Sequence, residues 1–327
     1  MARFANILFD DTFKVVVCAP ENEQLLIKII ELLIPGKRIK TLVLKDKENH
    51  GLSISDKVTI FDMYCTSETG EQFIVEMQHS PQRNYADRML CYATYPIRNQ
   101  LAVKFARRRE KIERGEAVDK MDYGLFPVYV VSILNFSIPH KDEKSLESGL
   151  VSRYDIRNAA SGEPMSESLH FIYLELGRLK AKLGEDSKCK TLLEKFAYSN
   201  KYMHEIKERP ESFDDQLLID LYNATEFANW SPEKQAKYDK TMRTELDIIA
   251  EKAYAREEGL AEGREEGLAE GRAEGREEGR AEGRAEGRAE ERKALTIEHA
   301  RKMKAEKILP EVISRITGLG LEEIAAL

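Results

Sequence analysis

The sequence contains few cysteines, and none of them form a recognisable metal or redox motif. The four residues Cys18, Cys65, Cys91 and Cys189 include no C-x-x-C pair. A structural zinc site needs clustered Cys and His ligands. A disulfide framework is typical of short secreted chains with closely spaced cysteines. We therefore expect reduced, mostly buried thiols in a cytosolic protein.

Long apolar runs are also missing. No segment approaches the ~20 consecutive apolar residues of a membrane helix, so no membrane partner is expected. Asp10 and Asp11 come too early for a secretory signal peptide. The 327 residues suffice for at least one well-packed domain. The formal net charge of -7 does not decide for or against nucleic-acid binding, because that function needs only a local basic surface.

The first 140 residues show alternating helix and strand patterns. Leu and Ile recur at helical spacing over residues 21–34, and Pro35 and Gly36 end that helix. Strands are predicted over residues 38–45, 57–66, 71–79 and 123–138. A helix is predicted over residues 83–107, with Pro96 marking a kink or a break. This order predicts an α/β domain.

The rest of the chain divides by composition into three further segments. Residues 141–255 are mixed and then mainly helical, with strands expected over 151–159 and 169–176. Residues 256–292 carry a glycine at every fourth position from Gly259 to Gly287. A period of four drifts about 40° per repeat around a helix, so we favour a solvated spacer over a packed helix seam. Residues 293–327 predict a small helical hairpin that turns at Gly318.

Two acidic residues are predicted to face each other across a hairpin. If Glu68, Thr69 and Gly70 form a three-residue loop, Gly70 takes the left-handed conformation that such loops require. Ser67 then pairs with Glu71, and counting back places Asp62 opposite Glu76. Gln78 shares their side of the sheet. A two-residue loop would instead put Asp62 and Glu76 on different faces.

The two faces of this hairpin differ in polarity. One is wholly apolar and is the predicted core face; it consists of Phe61, Met63, Cys65, Phe73, Val75 and Met77. The other carries Asp62 and Glu76 among apolar neighbours. Two adjacent carboxylates in a mostly buried place repel each other and lose hydration, and a divalent cation such as Mg²⁺ relieves both costs. The alternative is a solvated sheet face on which the two acids have no function.

The spacing of these residues resembles the PD-(D/E)xK nuclease motif in its E-x-Q form. Asp62 is followed by Glu76-Met-Gln78, and the segment is most similar to the Rpn family of recombination-promoting nucleases and transposases. Asp11-Thr-Phe-Lys14 resembles that family's N-terminal motif with one residue fewer, and Arg88-x-x-x-Tyr92 resembles its helix motif. The resemblance covers residues 8–138 firmly and the low-complexity tail loosely.

The resemblance implies a fold, an activity and a set of site residues. The fold is a restriction-endonuclease-like core of mixed sheet and flanking helices over residues 1–140, followed by a helical C-terminal extension. The activity is Mg²⁺-dependent endonucleolytic hydrolysis of DNA, with Mn²⁺ as a substitute, in a bacterial cytoplasm. Asp62, Glu76 and Gln78 correspond to the catalytic residues, and Asp62 and Glu76 to the metal ligands. Asp11 is either a third metal ligand or a helix N-cap.

The presence of Gln rather than Lys at position 78 weakens the expectation of full activity. Most of the superfamily has Lys there, and Gln can only orient water by hydrogen bonds. Lys14 or Lys57 could bring the missing charge. The expected DNA-binding residues are Arg83, Arg88, Tyr92 and Lys14. The alternative function is a weak or inactive nuclease fold that acts in DNA binding or assembly, with homo-oligomers formed through the C-terminal helices.

Overall fold

The computed structural model describes residues 2–44, 48–49, 59–60, 62–118, 120, 123–140 and 149–327. The chain divides into two compact units, Met1–Glu245 and Leu246–Leu327. The α-helices that lie wholly within the described part of the first unit are α1 (Asp10–Val16), α2 (Glu23–Leu33), α3 (Tyr85–Glu113), α4 (Leu192–Tyr202) and α5 (Gln216–Thr225). Its strands are β1 (Leu42–Leu44), β2 (Glu48–Asn49), β3 (Thr59–Ile60), β4 (Met63–Ser67), β5 (Gln72–Gln78), β6 (Val128–Leu134), β7 (Val151–Asp155) and β8 (Leu169–Glu175).

A six-stranded mixed sheet forms the centre of the first unit. Its strand order is β1-β4-β5-β6-β8-β7, and β2 and β3 pair separately. The central strands β5, β6 and β8 are parallel, whereas β1, β4 and β7 pair antiparallel with their neighbours. Parallel strands need a long crossover, and α3 supplies it between β5 and β6. This arrangement agrees with the predicted α/β nuclease fold.

The two faces of the sheet are covered by different helices. On one face Met63, Cys65, Phe73, Val75 and Met77 join a core with residues of α1, α2, α4 and α5. This confirms the predicted apolar face, except that Phe61 lies outside the described residues. On the other face Tyr64 and Ile74 pack with Tyr85, Met89 and Ala93 of α3. The face predicted to carry the acids is therefore covered in part by α3.

Several element boundaries differ from the sequence prediction. The helix α3 continues through Pro96, which is buried in the helix rather than ending it. Packing of the neighbouring Met89 and Ala93 against the sheet outweighs the hydrogen bond that a helical proline removes. The strands β7 and β8 join the same sheet as β4 to β6. The sheet therefore does not end at the predicted domain boundary after residue 140, because the buried backbone N–H and C=O groups of β6 need a paired strand on each side.

The second unit contains the C-terminal helices. The helix α6 (Pro232–Ala305) begins in the first unit and continues through the glycine repeat, and α7 (Pro310–Thr317) and α8 (Leu321–Ala326) follow. Residues 256–292 are exposed, and a Cβ added at any glycine from Gly259 to Gly287 would meet no atom within 4 Å. The repeat is thus a solvated helix. Lys307, with φ of 63°, and Pro310 introduce a break between α6 and α7 that the sequence pattern does not predict.

The end of α6 packs with α7 and α8 in a small core built around Ala300, Ile313 and Ile324. Gly318 adopts φ of 76° between α7 and α8, at the position where the sequence predicts the turn of a helical hairpin. None of the helices in the described part of the chain is long and apolar enough to cross a membrane.

Candidate active site

The hairpin between β4 and β5 has the predicted register. Ser67 N donates to Glu71 O at 2.9 Å, and Gly70 N donates to Ser67 O at 3.0 Å. Gly70 has φ of 89°, and a Cβ there would lie 2.9 Å from the ring of Phe126. Met63 pairs with Val75, so Asp62, one residue earlier, lies opposite Glu76. The local requirement for glycine therefore fixes which residues face each other.

Asp62 and Glu76 are joined through the backbone of each other's strand. Asp62 N donates to Glu76 Oε1 at 3.2 Å, and Met77 N donates to Asp62 Oδ2 at 2.9 Å. Both residues are only 4% exposed. Each carboxyl group is thus oriented by a main-chain donor rather than by a freely moving side chain.

The helix α1 brings an acid and a base to this pair. Lys14 Nζ lies 3.1 Å from Asp62 Oδ1 and 2.9 Å from Asp10 Oδ2. Asp10 Oδ1 is buried, and it has no hydrogen-bond partner among the described residues. Sequence reasoning did not identify Asp10, although its spacing of four residues from Lys14 on a helix was a usable signal.

Asp11 does not take either of the two positions expected for it. Its side chain is exposed, and the N-cap of α1 is Phe9 rather than Asp11. Successive helical residues are rotated by about 100°, so the helix that turns Asp10 and Lys14 toward Asp62 turns Asp11 away. The acid of the N-terminal segment that lies beside Asp62 is therefore Asp10.

Gln78 and Arg88 form a second polar group next to the acids. Arg88 Nη2 donates to Gln78 Oε1 at 2.5 Å, and Gln78 Nε2 donates to Ser80 O at 3.1 Å. The Arg88 guanidinium lies over the rings of Tyr85 and Tyr92, at 5.2 and 5.5 Å from their centroids. Within the described chain, the buried Arg88 Nε has no hydrogen-bond partner. Gln78 therefore positions the Arg88 guanidinium but has no positive charge of its own.

The remaining predicted site residues are more peripheral. Tyr92 is half-buried beneath the Arg88 guanidinium, and Arg83 is exposed in the turn before α3. Lys57 lies outside the described residues. The structure thus brings Lys14, Asp62, Glu76, Gln78, Arg88 and Tyr92 into one neighbourhood and leaves Arg83 at its rim.

The electrostatics of the site disfavour two ionised acids. Burial raises the pKa of Asp62, and the charges of Glu76 and Asp10 raise it further, whereas Lys14 lowers it. Burial also raises the pKa of Glu76, although the Asp62 N–H opposes that shift. Burial alone would lower the pKa of Lys14, but Asp62 and Asp10 outweigh it and raise the pKa. The site therefore favours additional positive charge when its carboxyl groups are ionised.

The side chains of this site match the ligand chemistry of a hard divalent cation. In the part of the chain that the structure describes, no group of three or more His, Cys, Asp or Glu side chains is arranged to hold a metal ion. The acids nevertheless offer carboxylate oxygens, and Asp10 Oδ1 is a buried oxygen without a donor. Mg²⁺ requires only one or two protein carboxylates, since water and substrate phosphate complete its shell.

Comparison with known proteins identifies the family to which this site belongs. Neither the curated proteins nor the solved structures gave a match to the chain. The sequence model of one family, described as PD-(D/E)XK nuclease family transposase, matches residues 8–255. That match includes the whole sheet and all the acids described above. With most of its length covered, the chain belongs to the PD-(D/E)XK nuclease family transposases.

Proposed function

We propose that the chain is a metal-dependent endonuclease that hydrolyses phosphodiester bonds of DNA, with Asp62 and Glu76 as ligands of Mg²⁺ or Mn²⁺. The observation that carries this proposal is the pairing of two buried acids across β4 and β5, each oriented by a backbone N–H. Burying two like charges side by side costs stability, and one main-chain hydrogen bond to each carboxyl group offsets only part of that cost. A bound divalent cation offsets that cost and supplies a Lewis acid that polarises phosphate and activates water.

Arg88 is the proposed contact to the DNA backbone next to the acids. Its guanidinium is held beside the acids by Gln78 and by two tyrosine rings, and the residue is only partly buried. Guanidinium groups suit phosphate because they donate in a planar fork. The Tyr92 ring packs against the Arg88 guanidinium. Arg83, at the edge of the site, would contact a more distant part of the DNA backbone.

Gln78 serves in this proposal as the residue that holds Arg88. Both ends of its amide are occupied, by Arg88 and by Ser80. A side chain bonded at both ends is poorly suited to orient an attacking water. The charge near the reacting phosphate would then come from residues outside β5, which favours Arg88 and Lys14 over position 78.

The cellular setting and the assembly follow from other parts of the chain. All four cysteines are free, as expected in a reducing compartment such as the bacterial cytoplasm. The activity would serve transposition, recombination or defence against foreign DNA. We further propose that the helical hairpin at residues 293–327 mediates homo-oligomer formation, with residues 256–292 as an exposed spacer. The nuclease domain would then comprise the sheet and the helices packed on it.

Nicking of supercoiled plasmid DNA tests the proposal. Wild-type protein should nick the plasmid in Mg²⁺ or Mn²⁺ and stop in excess chelator. Glu76→Gln should slow nicking by at least about 100-fold, because it removes a charge that acts on the reacting centre. Asp155→Asn is the matched control, since Asp155 lies in the edge strand β7 and pairs with Arg157. It should nick at the wild-type rate.

The same assay separates nuclease activity from the alternative of DNA binding without cleavage. If wild-type protein shifts DNA in a gel but does not nick it in either metal, the nuclease fold acts as a binding or assembly module. Equal nicking by wild type and Glu76→Gln would instead assign the cleavage to a different site or to a contaminant. Either result would remove Asp62 and Glu76 from the proposed mechanism.

A further inference from the structure

Lys14 directly contacts Asp62 of the acid pair. Its ammonium group bridges α1 and the start of β4, at 2.9 Å from Asp10 Oδ2 and 3.1 Å from Asp62 Oδ1. The side chain is only 21% exposed, so the ammonium group is confined rather than swinging in solvent. An ordinary surface lysine would have more freedom and would not be held between two carboxylates.

Each side-chain oxygen of Asp62 already has one polar contact. Asp62 Oδ2 accepts from Met77 N, and Asp62 Oδ1 contacts the Lys14 ammonium. A divalent cation that approaches Asp62 therefore meets an oxygen already in contact with a positive charge. The opposite oxygen of Asp10, Oδ1, is buried and without a donor among the residues described.

The other cation beside the acids is Arg88, and its charge lowers the pKa of Glu76. The Arg88 guanidinium bonds to Gln78 and Gln82 and lies over two tyrosine rings, so it cannot also neutralise Asp62 without leaving them. Gln78 is uncharged. Compensation of the charge on Asp62 thus comes chiefly from Lys14 within the described part of the chain.

We propose that Lys14 is a positioning residue that holds Asp10 and Asp62 in place and competes with the divalent cation for Asp62 Oδ1. This inference rests on the proposed metal-dependent nuclease. It reassigns Lys14 from the DNA-binding role predicted by the sequence to the acid cluster itself. In this arrangement Lys14 also supplies, from a helix, the positive charge that β5 lacks at position 78.

The inference predicts opposite effects on metal binding and on cleavage. In Lys14→Gln the competing charge is gone, so Mn²⁺ should bind about tenfold more tightly. The acids lose the bridge that orients them, so plasmid nicking should slow by about tenfold or more. A residue with a merely structural role would weaken both properties together. Lys14→Arg keeps the charge and should retain an affinity for Mn²⁺ close to that of wild type.

Calorimetric titration of the full chain with Mn²⁺, alongside plasmid nicking, measures both effects. Lys28→Gln is the matched control, because Lys28 forms an ion pair with Asp220 on α5, away from the acids. It should leave both readouts unchanged. Far-ultraviolet circular dichroism and thermal melting establish that Lys14→Gln is folded, and Lys14→Arg provides the comparison if it is not.

The outcomes distinguish this inference from the proposed function. Tighter Mn²⁺ binding by Lys14→Gln supports the role of Lys14 even if wild-type protein does not nick DNA, in which case only the nuclease proposal fails. Unchanged or weaker Mn²⁺ binding by a folded Lys14→Gln overturns the inference while nicking by wild type stands. Failure of wild-type protein to bind Mn²⁺ overturns both.

Discussion

Two groups of buried carboxyl side chains lie on the same face of the sheet, and they are satisfied in different ways. Glu175, which is 0% exposed, accepts four hydrogen bonds. The donors are His140 Nε2 at 2.6 Å, Ser152 Oγ at 3.1 Å, Ile138 N at 2.9 Å and Arg178 Nε at 2.9 Å. Asp62 and Glu76, by contrast, are neighbours of like charge held by one backbone donor each and by Lys14.

The comparison shows that burial of an acid does not by itself indicate function. Around Glu175 every donor comes from the protein, so its charge is compensated and the loop at residues 136–140 is tied to β8. Around Asp62 and Glu76 compensation is incomplete, and burial raises the pKa of both. A site that lacks positive charge in the folded protein is one that can gain stability from a ligand that brings it.

The largest expected contrast between the two groups is in stability. Glu175→Gln should lower the free energy of unfolding by about 3 kcal/mol or more, because it removes a fully buried charge that partly buried Arg178 and three other donors stabilise. Glu76→Gln, the same change in the other group, should leave it unchanged or raise it by about 1 kcal/mol, because a costly buried charge is removed. Urea unfolding without added metal measures both.

A similar decrease in the free energy of unfolding for Glu175→Gln and Glu76→Gln would contradict this prediction. Arg3→Gln is a suitable reference, since it removes a partly exposed ion pair with Glu226 and should cost less than about 1 kcal/mol. A change in the slope of the unfolding curve would indicate altered compactness rather than a local effect, so the comparison requires equal slopes.

The second contrast is in pH dependence. Because the pKa of Asp62 is higher in the folded than in the unfolded chain, its protonated form favours the folded state. The contribution of protonated Asp62 to the free energy of unfolding is fully present below about pH 4, the ordinary carboxyl range. It is lost as the pH rises through the raised pKa of the folded state. Asp62→Asn has no carboxyl group to ionise at this position. The free energy of unfolding of the variant minus that of wild type should therefore increase by about 1 kcal/mol or more between pH 5 and pH 8.

Thermal or urea unfolding at pH 5, 6.5 and 8 in chelator tests this expectation. The control is Asp155→Asn, because the hydrogen bond from Arg157 lowers the pKa of partly exposed Asp155. Its stability relative to wild type should not increase with pH. A flat difference for Asp62→Asn would mean that Lys14 compensates Asp62 fully, and the comparison with Glu175 would lose its basis.

The hairpin that carries the acids could be predicted from sequence because its determinants are local. Gly70 selects the loop, the loop sets the register, and the alternation of apolar residues assigns the faces. The strands β7 and β8 were also expected near their observed positions, but nothing local indicated that they extend the same sheet. That membership depends on the long-range pairing of β8 with β6, which is a property of the assembled fold.

The residues brought in by α1 could not be predicted in the same way. The helix has seven residues, too few for a periodic apolar pattern to be evident. The choice between Asp10 and Asp11 depends on its rotation about its own axis, and Lys14 reaches Asp62 across 48 residues of sequence. A family motif indicated that this segment matters, whereas only the packing of α1 shows which of its side chains meet the acids.

The smallest expected effect concerns position 78, where the general PD-(D/E)XK motif has Lys and this chain has Gln. Gln78→Lys would set an ammonium group beside the Arg88 guanidinium, which now donates to Gln78 Oε1. Since Lys14 already provides positive charge at the acids, nicking should change by no more than about threefold, or less than about 1 kcal/mol. Gln78→Met, which removes the acceptor without adding charge, is the control in the same plasmid assay. A tenfold higher nicking rate in Gln78→Lys but not in Gln78→Met would mean that the site needs a cation on β5. Lys14 would then not provide the positive charge that is missing at position 78.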